Sequence, residues 1–134
     1  MDMTLELRLL AYSTALLIVL VLIQATAGVL SKGSLPMAGP RDDVGPATGF
    51  HARMLRVVDN HREGLTMFAP LVLIAALLHL TNSWTILSAR LFFYSRVAHA
   101  LIYIAGVPLV RPLFWAAGLV GTIMIFLALM GILS

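Results

Sequence analysis

Residues 56–80 read RVVDNHREGLTMFAPLVLIAALLHL, so a polar string runs directly into an apolar segment. The apolar part, from Leu65 to Leu80, would form only about 24 Å of helix, which is short against a hydrocarbon core of about 30 Å. A helix long enough to cross a membrane must therefore begin earlier, near His51, and must include the polar string. The sequence predicts a transmembrane helix over about residues 51–80, with charged and amide side chains at or just inside the membrane interface.

The composition of the whole chain favours a membrane protein. Its 134 residues are 60% hydrophobic and 11% charged, whereas a typical globular chain is about 45–50% apolar and about 25% charged. A soluble domain of this size cannot bury so much apolar surface. The net charge of +3 is too small and too scattered to indicate a nucleic-acid partner. Because the chain has no cysteine, any thiol chemistry requires a thiol from a cosubstrate.

Three further apolar runs have spanning length, at about residues 5–30, 84–107 and 113–133. The segment 31–50 between the first two spans is rich in glycine and proline and is predicted to be a loop. Ala117 and Gly121, four residues apart, predict a close helix contact on the last span. We therefore expect an all-α fold, an integral membrane four-helix bundle that forms one transmembrane domain over residues 1–134.

The first apolar run has an alternative interpretation as a cleaved signal peptide, because Ala25-Thr26-Ala27 resembles a cleavage site. Two features argue against it. Asp2 and Glu6 precede the run instead of a basic cluster, and the run is too long for a signal sequence. We interpret it as a transmembrane helix.

The distribution of charge predicts the orientation. Most basic residues lie in or next to the loops that follow the first and third spans: Lys32, Arg41, Arg53, Arg56, Arg62 and Arg111. Basic loops remain in the cytoplasm. We expect both loops to be cytoplasmic and both termini non-cytoplasmic, in the inner or plasma membrane if the chain is bacterial. Trp84 and Trp115 are interpreted as anchors at the membrane interface.

Polar side chains share one face of the third predicted span. Arg96, His99 and Tyr103 are spaced i, i+3 and i+7, which places them on one stripe of a helix. An ionisable group at membrane depth costs at least about 2.5–3.5 kcal/mol, so it must face protein or water. The stripe, with Arg90 on the same span, therefore indicates a functional site.

A matching stripe occurs on the second span, where Arg56, Asn60 and Glu63 are spaced i, i+4 and i+7. Both stripes lie in the half of the membrane nearest the basic loops, and a short turn joins their helices. We therefore expect the two stripes to line one cavity. The alternative is that Glu63 neutralises Arg96 and that the cluster only holds the helices together.

The residue types indicate the kind of ligand. Guanidinium groups bind carboxylates in pairs of hydrogen bonds, and a carboxylate beside an amide suits a primary ammonium. A ligand with terminal carboxylates, an amine and an amide backbone fits, and glutathione is one. No metal site is predicted, because no two histidines have HxxH or HxxxH spacing.

Two motifs carry a family resemblance. R-x-x-x-N-x-x-E, which contains Asn60, is followed by Phe68, and R-x-x-H-x-x-x-Y begins at Arg96. Together they resemble the MAPEG family, the membrane-associated proteins of eicosanoid and glutathione metabolism, from roughly Pro40 to the end of the chain. The segment RVAHALIY is similar to a prostaglandin synthase member. The position of Arg90, six residues before Arg96, is similar to a feature of the microsomal glutathione transferase branch. The chain as a whole resembles a generic or bacterial member of that branch.

The resemblance implies a homotrimer with glutathione sites between subunits, open toward the cytoplasm. The residues that match the family's glutathione contacts are Arg56, Asn60, Glu63, His99 and Tyr103. Arg96 or Arg111 would stabilise the thiolate of the bound glutathione. The implied function is a glutathione transferase or peroxidase-like enzyme that acts on lipophilic electrophiles from the bilayer.

Two departures keep other function classes open. A helix-one arginine of the family falls near Gln24 or Thr26 here, and Asp59 replaces an arginine of the prostaglandin synthase. These changes favour a second hypothesis, a non-catalytic lipid-binding or scaffold member of the family. A third hypothesis is a small transporter or proton relay that uses Glu63 and His99.

Overall fold

A computed structural model describes residues 2–42 and 44–134, and every regular element in these ranges is an α-helix. Four helices are long and one is short. They are α1 (Leu5–Lys32), α2 (Ser34–Ala38), α3 (Gly49–Leu77), α4 (Ser83–Ala105) and α5 (Arg111–Leu129). The prediction of an all-α chain is confirmed.

The segment predicted to be a loop contains the short helix α2. Gly33, with φ of 93°, separates α2 from α1 in a backbone conformation that glycine adopts without strain. Pro36 is the third residue of α2, where the missing N–H would have had no helical acceptor. The glycine and proline content therefore correctly indicated the break after α1, but it did not reveal one short turn of helix inside the segment.

The start of α5 differs from the prediction in a way that affects the site. We expected a helix from about residue 113, but α5 begins at Arg111 with Pro112 in its first turn. Proline is favoured there because its fixed φ suits a helix and its missing N–H costs no hydrogen bond. Arg111 is therefore held by a helix and not by a loop.

The long helices pack in unequal pairs. α4 packs most extensively on α5, and α1 on α3; α3 and α4 also touch, whereas α1 and α5 make no contact within the described residues. The interior holds two apolar clusters. One surrounds Phe68 and Phe92, whose rings stack at 4.0 Å, and the other surrounds Met54 and Val57.

A buried polar layer separates the two apolar clusters. Its members, all with less than a tenth of their surface exposed, are Ser13, His61, Ser95, Arg96 and His99. Buried polar groups cost free energy unless they are hydrogen-bonded. Such a layer between two well-packed clusters therefore points to a role beyond packing.

Small residues allow α4 and α5 to approach closely. The sequence predicted a seam at Ala117 and Gly121; in the structure Gly121 is buried in it, together with Gly118 and Thr122, while Ala117 is half-buried. A Cβ at Gly121 would lie 2.9 Å from the carbonyl oxygen of Ser88. The two backbones are therefore in direct contact, as in membrane helix pairs held by van der Waals packing.

Two of the helices, α1 and α5, are long and apolar enough to cross a membrane. α3 and α4 are long enough as well, but their charged and polar residues make them less apolar than α1 and α5. Many large apolar side chains are exposed on the outer surface, among them Ile18, Leu22, Leu101 and Leu113. Such an extended apolar surface is typical of a chain in contact with lipid or with another subunit.

Candidate functional site

A cavity of about 590 Å³ lies where α4 ends and α5 begins. Its described lining residues are Asn60, His99, Tyr103, Leu109, Arg111, Pro112 and Trp115. Three helices contribute to it, with Asn60 from α3, His99 and Tyr103 from α4, and Arg111 from α5. The volume falls within the usual range of small-molecule sites, about 300–1,000 Å³.

Tyr103 is held between two guanidinium groups. The Nε of Arg56 donates a hydrogen bond to the Tyr103 hydroxyl at 2.7 Å, and the guanidinium of Arg111 lies 4.7 Å from the centre of the phenol ring. The second contact is a cation–π interaction. Because the hydroxyl oxygen accepts from Arg56, its own proton remains available to donate to a ligand.

Arg96 lies behind the cavity and fixes Asn60. It is only 3% exposed, and its Nη2 donates to the Oδ1 of Asn60 at 2.5 Å. Since arginine is only a donor, this contact fixes the orientation of the Asn60 amide and leaves its NH2 group free for a ligand. The Nε of Arg96 is buried without a partner among the described residues.

His99 joins the polar layer to the cavity. It is buried, its ring centre lies 5.7 Å from that of Tyr103, and its Nδ1 has no partner among the described residues. The two residues are four apart on α4, so they lie on the same face. The structure therefore brings His99, Tyr103, Asn60 and Arg111 to one cavity.

Glu63 lies outside this cavity. It is exposed on the surface of the single chain and borders a narrow neighbouring crevice with Arg96, Trp115 and Gly118. In the described part of the chain the only ion pair is between Arg62 and Asp59. Glu63 and Arg96 therefore form no direct salt bridge, although both border the same crevice.

Sequence reasoning missed two residues of the site region. Trp115 was interpreted as an interfacial anchor, but it lines the cavity one turn after Arg111. His61 was not singled out, yet it is almost fully buried, and its Nε2 donates to the backbone carbonyl of Ser13 at 2.8 Å. The four-residue spacing of Arg111 and Trp115 would have indicated the first only if Arg111 had been assigned to the helix. Nothing in the sequence indicated the contact of His61 with α1.

The cavity favours an anion with an apolar part. Its described lining has donors in Asn60, Tyr103 and Arg111, but it has no carboxylate. The first turn of α5 also borders it, and the N-terminus of a helix carries a positive partial charge. Leu109, Pro112 and Trp115 supply an apolar wall. The arrangement can bind carboxylates or stabilise a developing negative charge beside an apolar partner.

Comparison with known proteins identifies the family. The model of the MAPEG family matches residues 9–131, nearly the whole chain. No curated protein and no solved structure gives a significant match. The match agrees with the two motifs on α3 and α4 and with the two helices apolar enough to cross a membrane. The chain belongs to the MAPEG family and is a membrane protein.

Proposed function

We propose that this protein is a membrane-embedded glutathione-dependent enzyme, a glutathione transferase or peroxidase-like member of the family, that acts on lipophilic electrophiles. The observation that carries the proposal is the donor-lined cavity of about 590 Å³ with an apolar wall. Membership of a family concerned with glutathione and eicosanoid metabolism supports the same class of ligand.

The residues around the cavity suit the parts of glutathione. Arg56, Asn60, His99 and Tyr103 offer donors to carboxylate and amide oxygens, and guanidinium groups bind carboxylates most strongly. Glu63, one turn from Asn60 on α3, supplies the negative charge that the amine of glutathione requires. Because Glu63 borders the outer crevice, we expect this contact at the edge of the site.

Arg111 is the residue that we assign to activation of the thiol. Glutathione supplies a sulfur nucleophile, which reacts as the thiolate. A guanidinium at the cavity stabilises that negative charge, and Arg111 is held there by the first turn of α5 and by the Tyr103 ring. Arg96, which does not line the large cavity, acts as a positioning residue because it fixes Asn60.

The proposal includes the organisation of the chain in the membrane. The four long helices would cross the bilayer as one bundle and assemble as a homotrimer, with both basic loops in the cytoplasm and both termini on the other side. Exposed Arg90 on α4 and exposed Glu63 on α3 support this assembly. A charge at membrane depth requires protein or water beside it, which a neighbouring copy would supply.

Arg56 gives a direct test of ligand binding. Arg56→Gln removes the charge that contacts Tyr103, and we expect the affinity for glutathione to fall about tenfold, since a charge-assisted hydrogen bond contributes about 1.5–3 kcal/mol. The measurement is calorimetric titration of the purified protein in nanodiscs, with conjugation of an aromatic electrophile as the activity assay.

Arg62→Gln is the matched control, because Arg62 is exposed on the same helix and pairs only with Asp59. It should bind glutathione with unchanged affinity. Equal affinities of the two variants would contradict the assignment of Arg56. Absence of binding to the unchanged protein would overturn the proposed function.

Gly118 tests the positioning role of Arg96. A Cβ at Gly118 would lie 3.1 Å from the Oγ of Ser95 and 3.2 Å from the Cδ of Arg96, so Gly118→Ala should shift both side chains by a few tenths of an ångström. We expect a loss of glutathione affinity of about five- to tenfold, or roughly 1 kcal/mol, in protein that remains folded. Calorimetric titration measures the affinity, and circular dichroism checks the helix content.

Gly64→Ala is the control for Gly118→Ala. A Cβ at Gly64 would lie 3.6 Å from Phe92 and 3.8 Å from Arg96, at ordinary contact distance. This variant should bind glutathione like the unchanged protein. A similar loss in both variants would show that crowding near Arg96 is not the cause.

A second candidate function is a non-catalytic lipid-binding or scaffold protein. It is favoured by a largely apolar cavity of about 500 Å³ between α1 and the start of α3, lined by residues such as Leu22, Ile23 and Phe50. This hypothesis predicts tight binding of a fatty acid without turnover of glutathione. Saturable fatty-acid binding by protein that neither binds nor conjugates glutathione would select it.

A further inference from the structure

A second polar cavity lies at the opposite end of the helices, where α1 begins and α3 ends. Its volume is about 250 Å³, and its polar lining residues are Asp2, Thr4, Glu6, His79 and Thr81. None of them belongs to the glutathione site proposed above. The cavity therefore requires an explanation of its own.

Glu6 is the central group of this cavity. It is only 3% exposed, and its Oε1 accepts hydrogen bonds from the hydroxyls of Thr81 at 2.8 Å and Thr85 at 2.6 Å. Its Oε2 is buried and has no partner among the described residues. A buried carboxylate oxygen without a donor is unfavourable, so this atom indicates that a donor binds there.

The charges around Glu6 specify a cation. Asp2 and Glu6 are the only carboxylates among the described lining residues, no lysine or arginine is among them, and His79 is the one other titratable side chain there. Ala75 and Ala76, in the last turns of α3, also line the cavity. The C-terminal end of a helix carries a negative partial charge, which adds to that of the two acids.

The oxygen acceptors that line this cavity favour an ammonium over a metal ion. Within the described residues, no group of three histidine, aspartate or glutamate side chains is placed to hold a metal. A primary ammonium has three N–H donors and one charge. The Oε2 of Glu6, the carboxylate of Asp2 and the hydroxyls of the threonines are acceptors for those donors.

We propose that this cavity binds a primary ammonium group, either the ethanolamine headgroup of a lipid or a soluble amine. The bound group would connect the first turn of α1 to the connection between α3 and α4 through Glu6 and Thr81. It would satisfy the unpaired oxygen of Glu6 and stabilise this end of the protein without contact with the cavity at the other end.

The test compares headgroups that differ only in their N–H donors. The full-length protein is reconstituted with equal amounts of phosphatidylethanolamine and phosphatidylcholine of identical chains, and retained lipid is counted by native mass spectrometry. We expect phosphatidylethanolamine to be retained about tenfold more, the ratio of one charge-assisted hydrogen bond. Soluble ethanolamine, but not choline, should displace it if the site also takes free amines; failure to displace it identifies the lipid as the source.

Glu6→Gln should abolish the preference, since it keeps an acceptor for Thr81 and Thr85 but removes the charge. Asp2→Asn, at an exposed position, should reduce the preference several-fold. It provides the test of the cavity if Glu6→Gln does not fold. Asp59→Asn, on the exposed face of α3, should leave it unchanged. Equal retention of both lipids, or a preference that both Glu6→Gln and Asp2→Asn leave intact, would overturn the proposal. Glutathione affinity, measured in the same samples, should not change and so reports separately on the other site.

Discussion

Arg111→Ala is expected to lower kcat/KM for glutathione conjugation by about 100-fold or more, the loss typical of removing one group that stabilises developing charge. Of the described residues that line the large cavity, Arg111 alone carries a guanidinium. The guanidinium of Arg56 donates to the Tyr103 hydroxyl, and that of Arg96 donates to Asn60. Neither is therefore placed to substitute for Arg111.

The loss should appear mainly in the chemical step, because Arg111 is assigned to the thiolate and not to the carboxylates. Steady-state kinetics should show a large fall in kcat with a smaller change in the Kd for glutathione. Arg111→Lys, which keeps the charge without the planar guanidinium, should retain an intermediate rate. Arg8→Ala, at an exposed position near the start of α1, is the control and should retain full activity. A rate for Arg111→Ala within twofold of the unchanged protein would refute the assignment.

Gly121→Ala is expected to reduce the stability of the protein by about 1–3 kcal/mol, the usual cost of overpacking. The new Cβ would lie 2.9 Å from the carbonyl oxygen of Ser88 and 3.1 Å from the backbone nitrogen of Phe92. These are backbone atoms, so the contact can be relieved only by moving α4 and α5 apart. Unfolding by sodium dodecyl sulfate in mixed micelles measures the change.

Gly64→Ala is again the matched control, since it makes the same substitution inside a helix without a close contact. It should unfold at the same detergent fraction as the unchanged protein or slightly above it, because alanine favours the helix over glycine. Coincident unfolding curves for Gly121→Ala and Gly64→Ala would show that α4 and α5 are not in backbone contact.

Much of the helical architecture could be predicted from the apolar runs. The four long helices begin and end within four residues of the predicted limits. The least accurate limit is the end of α5, which lies at Leu129 instead of about residue 133. The start of α5 was predicted two residues late, because the prolines at 108 and 112 were interpreted as a break that lasts until residue 113. The local sequence does not show whether Pro112 precedes the helix or lies in its first turn, because proline is acceptable at both positions.

That small error had a consequence for the site. With α5 predicted to begin at residue 113, Arg111 belonged to a loop, and its four-residue spacing from Trp115 carried no meaning. Once Arg111 is the first residue of α5, the two side chains share a face. Both then line the same cavity.

The two polar stripes were predicted to face one cavity, and the structure divides them between two neighbouring spaces. Asn60, His99 and Tyr103 line the large cavity, while Glu63 and Arg96 border the narrow crevice. A separation of three residues leaves two side chains about 60° apart around a helix. Where α3, α4 and α5 meet, that angle is enough to move a side chain from one groove to the next, and helical periodicity alone does not resolve it.

The polar layer shows why tertiary contacts lie beyond sequence pattern. His61 looked like one more residue of an exposed polar string, next to Arg62. In the structure it faces inward and donates to the Ser13 carbonyl of α1, while Arg62 faces outward. Neighbouring helical residues point about 100° apart. Their environments are decided by how α1 packs on α3, which no short motif encodes.

The central claim is that Arg111, at the cavity lined from α3, α4 and α5, stabilises the thiolate of bound glutathione. Ultraviolet difference absorbance of the reconstituted protein, recorded on adding glutathione at neutral pH, measures thiolate formation directly. We predict saturable thiolate absorbance with the unchanged protein and its loss in Arg111→Ala at glutathione concentrations that still saturate binding. The claim would be contradicted if the unchanged protein bound glutathione to saturation without forming thiolate. It would also be contradicted if Arg111→Ala formed as much thiolate as the unchanged protein.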